Sequence, residues 1–119
     1  MREIRFDLLM ENRNTGDKHH KKYHISELMI GVEKLFDFEN YIMVSIRQYT
    51  GLKDKNGKEI YEGDIVTAGD LICVVKWGDH GWVARWERKR RGTTDYGEPD
   101  LGFRGHEVIG NIWENSELL

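Results

Sequence analysis

The sequence has one cysteine, one proline, no long apolar run and no excess of positive charge. The lone thiol, Cys73, excludes an intrachain disulfide and a thiolate metal cluster. No apolar stretch approaches the length of a transmembrane helix, and the first residues alternate charged and apolar side chains rather than forming a signal sequence. A soluble protein of the cytoplasm, with no membrane partner, is therefore expected. A net charge of −3 removes any global attraction to nucleic acid or acidic lipid. Also missing are a phosphate-binding loop, a dinucleotide-type glycine pattern and a nucleophile elbow, so no enzyme class has a motif to rest on.

What is present is glycine, aromatics and charge. The 119 residues include 13 glycines, four tryptophans, five tyrosines and four phenylalanines, and 33% of the chain is charged. The aromatics argue against disorder, and the glycines suit many turns between short strands. Ile4, Phe6 and Leu8 alternate with charged residues, which predicts a half-buried strand over Glu3–Leu9. Glu11–Lys22 is polar and reads as a loop. Ile25, Leu28, Met29, Val32, Leu35 and Phe36 fall at helical spacing, which predicts a helix from about Ser26 to Phe36 with Ser26 as its N-cap. This stripe packs on the front strands or docks a partner. A front unit this small holds little interior, so it must lean on a barrel, a target or a second copy, and self-association is an expectation.

Tyr41–Tyr49 is β-branched and aromatic and reads as a strand. From Thr50 on the pattern is strands and turns. Asp64–Thr67, Leu71–Trp77, Trp82–Arg88 and Glu107–Trp113 are short candidates, with a longer loop over Gly92–Gly105. The expected architecture is α+β: an N-terminal strand-helix-strand unit over 1–47 and a C-terminal SH3-like barrel over 48–119, closed to protect its edges.

The densest stretch of glycine and acid is TGLKDKNGKEIYEGDIV, Thr50–Val66. Asn56-Gly57 suits a tight hairpin turn in which both residues take positive φ. Lys53, Asp54, Lys55 and Lys58 would keep that turn wet. Gly63 permits a second bend, and Asp64 can accept turn amides. Ligand spacing of the EF-hand kind is absent, so two turns are the simpler reading. QYTGLKDKNGKEIYEGDIV, together with EVIGNIWENSELL at Glu107–Leu119, resembles the YopX-like family of phage and prophage proteins. The resemblance implies a C-terminal SH3-like barrel and a phage or prophage setting in a bacterial host cell. It carries over no catalytic residue, and leaves Asn56, Gly57, Gly63 and Asp64 as structural turn positions.

Two clusters are candidate sites. Three of the five histidines, His19, His20 and His24, fall within six residues. If the segment were helical, His20 and His24 could share a zinc ion, with His19 as a third ligand. The alternative is a solvated loop, favoured by Lys21 and Lys22, so no cofactor is the default. Arg85–Arg91 holds five cations against one carboxylate, with Trp86 among them. Arg85, Trp86, Arg88, Lys89, Arg90 and Arg91 could meet a protein partner, or phosphates with Trp86 stacked on a base. They could also only face the chain's own acidic segment, where Gly92–Leu119 sets one arginine against six carboxylates. The function expected is non-enzymatic. It is a phage accessory protein that binds a bacterial or phage macromolecule, for host takeover or counter-defence such as anti-CRISPR inhibition. A nucleic-acid-binding barrel is the alternative.

Overall fold

The computed structural model describes residues 4–31, 37–101 and 105–119. The chain divides into two compact units, Met1–Gly51 and Leu52–Leu119. In the first, β1 (Arg5–Asn12) lies between β2 (Lys18–His24) and β3 (Tyr41–Lys53), antiparallel to both. The β1–β2 connection is an Asn12 turn. The Asn12 Oδ1 accepts the N–H groups of Asn14 and Thr15 at 2.9 and 3.0 Å, and Gly16 takes φ 76°. Asp7, Leu8, Leu9 and Met10 are all buried, so β1 is covered on both faces rather than half-buried.

The expected α+β class does not hold: the protein is nearly all β, with two antiparallel sheets. Two sequence readings fail for physical reasons. The stretch predicted as a polar loop supplies β2. Its residues KHHKKYH have almost no apolar side chains, yet β1 offers a free ladder edge, and a charged strand is well suited to the outside of a sheet. The predicted helix is α1, Ile25–Leu28, four residues long. His24, not Ser26, is its N-cap, accepting from the Ser26 N–H while Glu27 Oε1 takes the His24 N–H at 3.0 Å. Gly31 follows at φ 112°, which a right-handed helix cannot include. Ile25 and Met29 are exposed, so this part of the stripe is not packed. The rest of the predicted helix, residues 32–36, lies outside the described residues.

In the second unit, the end of β3 turns through Asp54–Lys58 into β4 (Glu59–Tyr61), its neighbour in the strand order. Then come β5 (Asp64–Ala68), β6 (Leu71–Trp77), β7 (Trp82–Arg90), β8 (Thr93–Gly97) and β9 (Glu107–Asn111). The first four of these form a meander, and β9 returns to pair with β5, giving the order β8-β7-β6-β5-β9. Among the described residues no ladder joins β8 to β9. The described part of the unit is an antiparallel sheet of these five strands. Ile60, Val66, Cys73, Val75, Trp82, Ala84 and Leu101 form its core, with Leu71, Trp86 and Val108 packed against it. Cys73 is fully buried within that cluster, and burial pushes its thiol pKa up.

Candidate binding groove

The glycine-rich stretch is built as turns, though not the turns expected. The Gly57 N–H donates to the Asp54 carbonyl at 3.0 Å and the Asp54 N–H to the Lys58 carbonyl at 2.8 Å. Only Gly57 has positive φ, at 84°; Asn56 does not. This is a three-residue hairpin loop whose last residue is left-handed, not a two-residue turn. Asp54, expected to be wet, is buried. Its Oδ1 accepts the N–H groups of Asn56 and Lys58 at 2.9 and 2.8 Å, and its Oδ2 accepts the Val108 N–H from β9 at 3.0 Å. One carboxylate therefore fastens the hairpin loop to the last strand. Burial pushes its pKa up, but the N–H groups of Val108, Lys58 and Asn56 and the Lys58 charge outweigh this and leave it below the ordinary aspartate value.

That shift has a sign. A carboxylate whose folded pKa is depressed stabilises the fold above its unfolded pKa, and the contribution is lost as pH falls through the folded value. Asp54→Asn should therefore lower stability at neutral pH and flatten the acid limb of the stability curve. Urea unfolding from pH 7 down to about pH 2.5 measures both, the window lying around the ordinary aspartate pKa. A variant that follows the wild-type acid limb in parallel would show that Asp54 carries none of it.

At the second bend Gly63 has φ 80°, and its N–H donates to the Val75 carbonyl at 2.8 Å. The Trp113 ring lies directly over its Cα. Asp64 Oδ2 accepts the Tyr61 N–H at 2.8 Å. Downstream, Asn111 Oδ1 accepts the N–H groups of Trp113 and Glu114 at 3.0 and 2.9 Å, which fixes the main chain that carries that ring. The carboxylates of Asp54 and Asp64 thus accept from backbone N–H groups.

The histidines sit in β2, where alternation sets His20 and His24 on one face and His19 on the other. Four residues along a strand separate His20 from His24 by about 13 Å. Each has its own neighbour. His20 Nδ1 lies 2.8 Å from Asp7 Oδ2, His24 caps α1, and His19 stands edge-on to Tyr41 with ring centroids 5.9 Å apart. Among the described residues no three His, Cys, Asp or Glu side chains gather as a metal site.

The basic run falls on β7 and the turn after it, and the structure splits it. Arg85 is half-buried and already paired. Its Nη1 donates to Glu98 Oε1 at 2.7 Å, its Nη2 donates to Glu87 Oε1 at 2.8 Å, and its guanidinium lies 4.7 Å from the Tyr96 ring centroid. These partners hold its pKa above the usual arginine value. Lys76 reaches the same Glu98 at 3.2 Å. Trp86 packs against the core cluster with its ring over Gly97 of β8. Arg91 is a turn residue: with φ 38°, followed by Gly92 at 85°, it forms the two-residue loop between β7 and β8. Arg90 pairs with Thr93 in the ladder. Arg88 and Lys89 are exposed, and among the described residues neither has an ion-pair partner.

Beside these two cations is a groove of about 760 Å³. Its lining includes Ile72, Trp86, Arg88, Lys89, Leu118 and Leu119. The sequence marks the cations and the tryptophan. It does not mark Ile72 or Leu118 as neighbours, because they arrive from β6 and from the C-terminal 3-10 turn. Nor does it mark Glu98 as the partner that neutralises Arg85, since the two meet only across the sheet.

Fold and groove together define a small all-β protein with an amphipathic surface cleft and no assembled metal cluster among the described residues. A family model described as YopX protein matches residues 4–119, and the chain belongs to the YopX family. The solved structure of protein EF1440 from Enterococcus faecalis is 30% identical over 95% of this chain and 75% of that chain, with a TM-score of 0.34. No curated protein matches the chain. Among the described residues no helix is long and apolar enough to cross a membrane.

Proposed function

We propose that this YopX-family protein is a non-enzymatic accessory protein of a phage or prophage that acts by binding a bacterial or phage protein through the groove beside β7. The supporting observation is the division of the basic run. Arg85 is already neutralised by Glu87 and Glu98, leaving Arg88 and Lys89 next to apolar Ile72, Trp86 and Leu118. Two cations bordering an apolar floor suit a protein surface, where a few anchors in a desolvated patch carry the energy. Asp70 and Glu87 also line the groove and lower its net positive charge, which serves a track of phosphates poorly, since affinity for a strand scales with the charges neutralised. Trp86, set over Gly97, is also poorly placed to stack on a base. Host takeover or counter-defence, including inhibition of a CRISPR effector, is the setting that the family suggests.

The test is affinity capture from a bacterial lysate, with and without nuclease, using the wild-type chain and Arg88→Glu/Lys89→Glu. The expected result is a protein retained after nuclease and lost with the double variant, at an unchanged melting temperature. Capture that vanishes with nuclease, together with strand binding whose salt slope falls by about one for each cation removed, would move the assignment to nucleic acid.

A further inference from the structure

The ladder between β6 and β7 runs from Trp77↔Trp82 to Val74↔Arg85 and stops there. Beyond that point β6 stays with β5, through Val66↔Cys73 to Ala68↔Leu71. β7 stays with β8, through Trp86↔Gly97 to Arg90↔Thr93. The two strands part company, and the groove lies between them, lined by residues from Asp70 to Val74 on one side and Arg85 to Lys89 on the other. Over Leu71–Cys73 and Trp86–Lys89 each strand therefore has a ladder partner on one side alone among the described residues. Inner strands of a sheet do not normally leave N–H and C=O groups in this state, because an unpaired edge is a template for another strand.

From this we infer that the groove receives an extended, acidic segment of a partner protein, which adds as a strand to the open side of β7 between Trp86 and Lys89. The inference rests on the protein-binding reading above and names the chemistry of the partner. Backbone pairing supplies the affinity in strand addition, and alternate side chains supply the selectivity. On the side facing the sheet's interior the segment would meet Leu71 and Trp86, which calls for apolar side chains. On its other side it would meet Lys89 beside Glu87, whose charge Arg85 already offsets, and Arg88 stands on the Trp86 face at the rim, so carboxylates at the ends of the segment would face these two cations and keep clear of Asp70. Arg85 cannot serve, because Glu87 and Glu98 already hold it.

The probe is a synthetic peptide of alternating glutamate and valine, about eight residues long so as to span a strand, titrated into the full ¹⁵N-labelled chain. Amide shifts and slowed hydrogen exchange are expected at Leu71–Ile72 and Trp86–Lys89. The same peptide N-methylated at alternate residues should bind about tenfold more weakly or worse, because two lost backbone bonds amount to roughly that factor. Lysine in place of glutamate in the peptide, or Arg88→Glu/Lys89→Glu in the protein, should weaken binding to a similar degree and remove its salt dependence. The proposal is overturned if the N-methylated or lysine peptide binds as well as the original. It is equally overturned if the shifts fall on β2 or on the outer edge of β8, or if shifts at the groove appear with protein concentration alone, which would seat a second copy there. No shift up to about 1 mM peptide also overturns it. If the peptide fails while the double variant still abolishes capture of a nuclease-resistant partner, the protein-binding reading stands and strand addition falls. If neither responds, both fall.

Discussion

Gly63→Val should cost far more stability than Gly57→Val, although both glycines sit at nearly the same left-handed φ, 80° and 84°. A β-branched residue resists that conformation, and the backbone penalty alone is about 1–3 kcal/mol at either site. The surroundings separate the two. A Cβ on Gly57 meets nothing within 4 Å, so the backbone term is the whole effect. A Cβ on Gly63 would lie 2.3 Å from Cζ3 and 2.4 Å from Cη2 of Trp113. The main chain beneath the ring is fixed, since the Trp113 N–H is tied to Asn111 and the Ile112 N–H donates to the Gly63 carbonyl at 3.0 Å, so the ring can clear the new Cβ only by leaving its rotamer. Displacing it adds an overpacking cost of roughly 1–3 kcal/mol, so about 3–5 kcal/mol in total is expected at Gly63. Chemical denaturation of both variants measures the difference. Gly63→Ala made in Trp113→Leu should lose much of its penalty, because the ring it collides with is gone. Equal losses for the two valine variants, with no coupling to Trp113, would mean that the bend at Gly63 is a matter of φ alone.

This pair of glycines also marks how far the sequence could be read. Turn chemistry is local, so Gly57, Gly63 and Asp64 announce themselves within a few residues. The short runs of β5, β6 and β7 between glycine-containing turns are equally local, and those strands fall close to where the sequence places them. What decides the rest is distant. Lys18–His24 has no strand-like pattern of its own; it is a strand because β1 presents an edge to it. The apolar spacing from Ile25 suggests a longer helix, yet Gly31 at φ 112° lies within it, and that conformation is visible only once the chain is folded. Asp54 looks like one more charge in a wet turn until the Val108 N–H arrives from β9. The candidate site divides along the same line. Arg85–Arg91 is conspicuous as composition, while the sorting of its members depends on Glu98, Gly97 and Ile72, which are brought to it by strand pairing. The cleft itself comes from a ladder that ends early, and no run of residues encodes that on its own.

Loss of one side chain in the first unit should be at least as damaging as the change at Gly63. Asp7 was expected on the solvent face of β1, yet it is completely buried. Its Oδ2 accepts from Arg47 Nη2 at 2.7 Å and from Arg47 Nε at 3.2 Å, and lies 2.8 Å from His20 Nδ1. Arg47 is itself buried, and the two face each other across the β1–β3 ladder. Burying two charges is costly, and their mutual attraction roughly repays it, so the pair as a whole adds little net stability. Removing one member is different, because the other is left charged and buried without its opposite charge. Asp7→Ala should therefore lower stability by about 3–5 kcal/mol, whereas His20→Ala, which removes a partner at the sheet's outer strand, should cost about 1 kcal/mol. Replacing both members of the pair by apolar residues of similar size, Asp7→Leu with Arg47→Met, should recover most of the loss. Denaturant unfolding followed by a probe in the first unit, such as the amides of β1, gives the three values. If Asp7→Ala cost less than about 1 kcal/mol, or if the double replacement were no better than the single, Arg47 would have to find water or another anion when Asp7 is gone. The ion pair would then be a passenger of the sheet rather than the reason Arg47 can be buried in it.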